Sequence, residues 1–204
     1  MSNANHLKLE GVVSEDIHAL VELWFAAFSD PHSRSLFPDT TGVKNWLQDA
    51  ISRDMLEHPF QTYMKIIDTG SKDTDGKPPI AAYAKWDFSL AEERGPRYPP
   101  WHTDMPKGLC DAFVRRGENN RRRVMGNEKH LFLDIVATHP SYQRQGAATM
   151  LVKWACEQAD AERLSIYVGA SEDGAVFYAR FGFTDYSIVG QGTVSMVRRE
   201  HDQS

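Results

Sequence analysis

The chain has 204 residues, a net charge of −5, 41% hydrophobic residues and 25% charged residues. That length can bury a full core, and that composition excludes disordered and fibrous classes. The acidic balance argues against a general nucleic-acid or membrane-surface binder. With no bilayer-length apolar run and no charged-then-apolar leader, a soluble cytoplasmic (intracellular) protein is expected.

Leu7 to Val13 reads as a first strand. Ser14 is expected to cap a helix whose acidic first turn holds Glu15 and Asp16. Its apolar face is Ile17, Leu20, Val21, Trp24, Phe25 and Phe28, and Pro31 ends it. A second helix spans Val43 to Leu56, with Val43, Trp46, Leu47, Ala50 and Leu56 near one side. Gln61 to Ile67 and Ile80 to Phe88 read as paired strands around an exposed polar turn, Thr69 to Pro79. Residues 89–129 form a proline-rich loop followed by a helix over Lys107 to Val124. The two cysteines, Cys110 and Cys156, are far apart, which suggests free thiols in a reducing compartment. No Cys/His cluster has zinc spacing, so no metal is expected.

The most informative stretch is Leu131 to Ala161. Leu131 to Val136 reads as a buried strand, and Pro140 cannot continue its ladder. Gln143-Arg144-Gln145-Gly146-Ala147-Ala148 then opens a helix with Ala148, Leu151, Val152, Ala155 and Ala159 at helical spacing. A helix start has unpaired N–H groups and a partial positive charge, and small side chains admit an anion. A phosphate or pyrophosphate site is therefore expected at Gln143 to Thr149. Leu164 to Val168 reads as the next strand, and Tyr186, Ile188, Val194 and Met196 alternate as terminal strands would. Strands with helices interposed imply an α/β (α+β) fold with a mixed, twisted sheet covered on both faces.

Gln143-x-x-Gly146-x-Ala148 resembles the Q/R-x-x-G-x-G/A motif of the GNAT superfamily of acyl-CoA N-acyltransferases. Phe177-Tyr178-Ala179-Arg180-Phe181-Gly182-Phe183 resembles that family's F/L-Y-x-x-x-G-F segment. The resemblance is specific over about residues 130–186 and is closest to a fungal group of GNAT-like proteins. It implies a GNAT-like fold of about six to seven strands, with a splayed parallel strand pair holding the cofactor. It also implies a single domain over residues 1–204, with 89–129 as an insertion and 130–186 as the cofactor-binding core.

The implied donor is acetyl-CoA, with no metal. Gln143, Arg144, Gln145, Gly146, Ala147, Ala148 and Thr149 would hold its pyrophosphate, and Ile135, Val136, Ala137 and Thr138 its pantetheine arm. Ser171 and Phe177 would add contacts. Arg144 is either a charge-assisted contact or solvated. Ser171 and Gly174 stand where the family often has Asn and Ala, and Ser171 still suits a helix N-cap.

Tyr178 resembles the family's general acid, which protonates the leaving thiolate. The alternative is a core tyrosine beside Phe177 and Phe181. Asp134 is a lone carboxylate in an apolar strand, which calls for a reason. It is either a base with a pKa raised by desolvation, or a buried partner of an arginine or of backbone N–H groups. His139 is expected to be structural.

The acceptor site is less legible. Phe28 to Phe37, Tyr98 to His102 and Tyr186 to Gly192 are the candidate segments. Tyr98, Trp101 and His102 either wall an amine pocket or pack down to anchor their loop. Arg115, Arg116, Arg121, Arg122 and Arg123 either meet an anionic group or form a solvated helix face. The function expected is acetyl transfer to a primary amine of a small molecule by a monomer or homodimer. Alternatives are a protein or peptide N-acetyltransferase and a non-catalytic acyl-CoA sensor.

Overall fold

A computed structural model describes residues 6–89, 93, 95–188 and 193–200. Seven strands form one mixed sheet in the order β1-β2-β3-β4-β5-β7-β6. They are β1 (Leu7–Gly11), β2 (Gln61–Asp68), β3 (Ile80–Asp87), β4 (His130–Thr138), β5 (Ser165–Ala170), β6 (Thr184–Asp185) and β7 (Val194–Arg198). The helices are α1 (Ile17–Ala27), α2 (Pro31–Leu36), α3 (Thr41–Glu57), α4 (Lys107–Met125), α5 (Ala147–Glu162) and α6 (Glu172–Ala179). This mixed α/β sheet with one parallel pair, β4 and β5, is the architecture expected.

The sheet has two covered faces. On one, α5 buries Leu151, Val152, Ala155 and Ala159 against Leu131, Leu133, Ile166 and Val168, with Tyr178 from α6. On the other, α1 and α3 bury Leu20, Val21, Trp24, Val43 and Trp46 against Tyr63, Tyr83 and Ala137. Met125 of α4 covers Phe132, Tyr167 and Val197 on that second face. Leu151 is fully buried, so truncating it to Ala would cost about 2–5 kcal/mol.

Four local expectations are corrected. Ser14 does not cap α1; it opens a 3-10 turn whose Val13 N–H donates to the Asp16 carboxylate (2.8 Å). Pro31 does not end α1 but begins α2, where its missing N–H costs nothing, behind an Asp30 side chain that accepts from Ser33 N. Leu56 is 83% exposed. Four residues after Ala50 on the same helical face stands Asp54, so a carboxylate takes the inward place instead. Tyr186 and Ile188 lie beyond the two-residue β6 and are exposed.

At β4 two features coincide. Lys85 pairs with Ile135 and Trp86 with Leu133, so Asp134 is the extra residue of a β-bulge. A bulge reverses which face the following residues occupy. Leu131 and Leu133 accordingly pack under α5, while Ile135 and Ala137 pack under α1. The parallel pairing of β4 with β5 stops at Leu133–Val168. Beyond it, β5 continues along β7 through Gly169–Ser195 and Ala170–Val194, and β4 follows β3. The strands part, leaving one edge of Asp134 to Thr138 without a strand partner among the described residues.

Candidate active site

A cavity of about 420 Å³ lies where β4 and β5 separate. It is lined on the α5 and α6 side by Ala148, Ser171, Gly174, Phe177 and Tyr178. Asp134, Ile135, Val136, Gly169 and Ala170 form its waist, and Trp24, Phe28, Tyr98 and Phe113 line the opposite side. The cavity thus has walls from both faces of the sheet.

The loop before α5 has the backbone of an anion cradle. Arg144 (φ 61°) and Gly146 (φ 94°) are both left-handed. That conformation is uncommon for a side-chain-bearing residue and is found at functional sites. Gly146 is the N-cap of α5, and no side chain caps that end. The first N–H groups of the helix have no intrahelical partner, so they remain available to a diphosphate. Gln145 is occupied locally, donating from Nε2 to Ser141 O (2.7 Å). His139 Nδ1 accepts from Ser141 N (3.2 Å), which makes it a cap of the short turn Pro140–Tyr142, in line with its expected structural role.

The candidate residues divide. Asp134, Ile135, Val136, Ala148, Ser171, Phe177 and Tyr178 share the cavity. Gln143, Arg144, Gln145, Gly146 and Thr149 lie outside it along the helix start. The side chains of Ala137 and Ala147 are buried in opposite cores, so only their backbone groups are available. Thr138 pairs with Ala82 on the β3 side.

Ser171 caps α6, its Oγ accepting from Gly174 N (3.1 Å). This places Tyr178 two turns on, packed against Phe177 and Phe183 with ring centroids 5.2 and 5.5 Å away. Burial pushes its phenol well above the ordinary value. At neutral pH it is therefore a protonated donor.

Of the two readings open for Asp134, the geometry is that of a buried carboxylate paired with an arginine. Burial alone would raise its pKa, but Arg97 and Lys85 beside it hold the carboxyl below the ordinary carboxylate range. Lys85 Nζ stands 3.2 Å from Asp134 and 2.6 Å from Asp54, and Arg97 pairs with Asp134 from the other side. Tyr63 donates to Asp54 (2.9 Å), and His58 Nδ1 stands 3.2 Å from it. A buried chain of alternating charge therefore runs from α3 to the bulge. The carboxyl is charge-paired and its pKa is lowered, not raised as the base alternative required. Arg97, Lys85 and Asp54 were all missed. The signals were present: Asp54 falls in phase with Ala50, and Lys85 is the lone cation inside an apolar strand, as Asp134 is the lone anion in the next.

The loop carrying Arg97 is pinned. Trp46 Nε1 donates to Pro100 O (2.8 Å) and Trp101 Nε1 to Asp111 (2.7 Å). Trp101 and Tyr98 pack edge-on against Phe37 and tilted against Trp46, so Trp101 anchors while Tyr98 both packs and walls the cavity. Of the basic run, Arg121 is buried, lying 4.3 Å over the Phe132 ring and paired with Glu118, while Arg115, Arg116, Arg122 and Arg123 are exposed. Residues 189–192 of the last candidate segment lie outside the described residues. Cys110 and Cys156 are free. Among the described residues no cluster of three His, Cys, Asp or Glu groups stands ready for a metal ion, and no helix is long and apolar enough to cross a membrane.

The sequence profile of the acetyltransferase (GNAT) domain family matches residues 109–185. The fold is similar to a histone acetyltransferase HPA2 and related acetyltransferase from Corynebacterium glutamicum (TM-score 0.62, 17% identity, 98% of this chain and 99% of that one). It is also similar to the paia N-acetyltransferase of Thermoplasma acidophilum in complex with coenzyme A (TM-score 0.55, 11% identity, 96% and 99%). A third similar structure is yncA of Salmonella typhimurium with its cofactor acetyl-CoA (TM-score 0.54, 14% identity, 98% and 96%). Comparison with curated protein sequences gives no match.

Proposed function

We propose that the chain, whose residues 109–185 match the acetyltransferase (GNAT) domain family, transfers an acetyl group from acetyl-CoA to the primary amine of a small molecule. The observation that carries this reading is the cavity walled from both faces of the sheet, with Tyr178 on one side of the waist and an aromatic chamber on the other. Acetyl-CoA supplies an acyl group activated as a thioester. The chain holds it by N–H groups at the start of α5 and by the unpaired edge of Ile135 to Thr138, in the manner of an added strand. Ser171 and Phe177 flank the arm.

The neutral amine nitrogen attacks the thioester carbonyl carbon. The N–C bond forms, the C–S bond breaks, and sulfur leaves with the electron pair. Tyr178 Oη gives its proton to that sulfur, and the proton shed by the nitrogen returns to the phenol by way of solvent. Asp134 takes no proton; held by Arg97 and Lys85, it fixes the bulge that opens the waist.

The test is release of free thiol from acetyl-CoA across a panel of primary amines and lysine peptides, with products checked by mass spectrometry. Amine-dependent thiol release and an acetylated small amine are expected. Coenzyme A binding with no release for any amine would reduce the chain to a binder. Turnover of peptides alone would make it a protein-modifying enzyme.

A further inference from the structure

Resting on that reading, we propose that the acceptor is an amine carrying a flat, aromatic group, held between α1, Tyr98 and α4, with Gly117 of α4 setting the size of group admitted. Four rings from three separate segments line this end of the cavity: Trp24 and Phe28, Tyr98, and Phe113. Rings hold a flat apolar body by edge and offset contacts and attract an ammonium to their faces. The two carboxylates in the lining are both engaged, Asp134 with Arg97 and Lys85, and Glu118 with Arg121. A polycation would find no unpaired carboxylate among the described lining residues.

Gly117 is an independent sign. It sits in the interior of a nineteen-residue helix, one turn beyond Phe113 on the stripe that continues to Asn120, and all three line the cavity. Glycine weakens a helix interior relative to alanine. Close packing does not require it here, because a Cβ built at Gly117 would meet nothing within 4 Å. Nor does the backbone, which shows no positive φ at this position. The missing side chain instead enlarges the chamber. The segment between β3 and β4 thus gains a role: through Tyr98 and α4 it supplies two of the three walls.

The experiment measures kcat and KM with acetyl-CoA for phenethylamine, n-hexylamine and spermidine, in the wild type and in Gly117→Ala and Gly117→Leu. Phenethylamine should exceed both others in kcat/KM by at least about tenfold, the scale on which a fitted apolar pocket discriminates. Gly117→Ala should raise Tm while raising the phenethylamine KM. Gly117→Leu should raise that KM by about tenfold or more and leave the acetyl-CoA KM unchanged. A preference for spermidine or hexylamine overturns the inference but leaves acetyl transfer standing. So does an unchanged phenethylamine KM in a folded Gly117→Leu protein. Thiol release with none of the amines overturns both.

Discussion

On the α5 and α6 side, the cavity wall comes from one stretch of the chain, β4, the start of α5, β5 and α6, with the loop at Gln143 to Gly146 beside it. On the other side its walls come from Trp24 and Phe28, from Arg97 and Tyr98, and from α4, segments far apart in the chain. In the proposed function the first side binds the donor by backbone groups, whose positions follow from local conformation. The second would bind the acceptor by side chains that only tertiary packing brings together, and a buried charge chain holds its loop to the sheet. Donor binding should therefore answer to backbone changes, and acceptor binding to changes in packing and charge.

The comparison breaks first at the charge chain. Lys85→Met leaves Asp54 and Asp134 facing each other in the core, and should cost about 3–5 kcal/mol of stability in denaturant unfolding, as for a buried ion pair missing one partner. A loss below 1 kcal/mol would mean that Arg97 and solvent suffice. On the other side, Gly146→Glu forces a side chain into a left-handed N-cap and sets a carboxylate where the diphosphate binds. Coenzyme A affinity should fall roughly a hundredfold or more by calorimetry, equivalent to losing two charge-assisted hydrogen bonds at about 1.5 kcal/mol each. Acceptor KM, measured at saturating donor, should hardly move.

Tyr178→Phe sharpens the division at the waist itself. No hydrogen bond to the Tyr178 hydroxyl is seen among the described residues, so the variant should fold as well as the wild type. It should lower kcat roughly a hundredfold while sparing coenzyme A affinity. Unchanged kcat would make Tyr178 a packing residue.

The smallest effect concerns pH. Asp134 has its folded pKa held below the ordinary carboxylate value, so its stabilisation is present above about pH 3.9 and is lost as pH falls through the folded value. Between pH 5 and 8, log kcat/KM should show no limb that Asp134→Asn removes. A limb that disappears in that variant would restore Asp134 as a base.

The same contrast explains what the sequence made legible. Gln143 to Ala148 and Phe177 to Phe183 are short local patterns, and the parallel pair followed from the resemblance they carry. The bulge did not, because the apolar run Leu131 to Val136 shows no alternation that a bulge would interrupt, and only the register with Lys85 and Trp86 reveals it. The two readings of Asp134 stayed open because its partners lie 37 and 49 residues away in the chain, on Arg97 and Lys85. Leu56 was misplaced because hydrophobicity was weighed above helical phase, which belongs to Asp54. Gly117 carried no signal at all; its meaning depends on the rings of Trp24, Phe28 and Tyr98 across the cavity.

The central claim is that the donor enters from the α5 and α6 face and reaches the acceptor chamber through the gap between β4 and β5. Amide hydrogen exchange, with and without coenzyme A, tests it most directly. The account predicts slowed exchange at Ile135 to Thr138 and Gln143 to Thr149, with α1 and α4 unchanged until an amine is added. Unaltered exchange at Gln143 to Thr149 with saturating coenzyme A, or protection confined to α1 and α4, would contradict it.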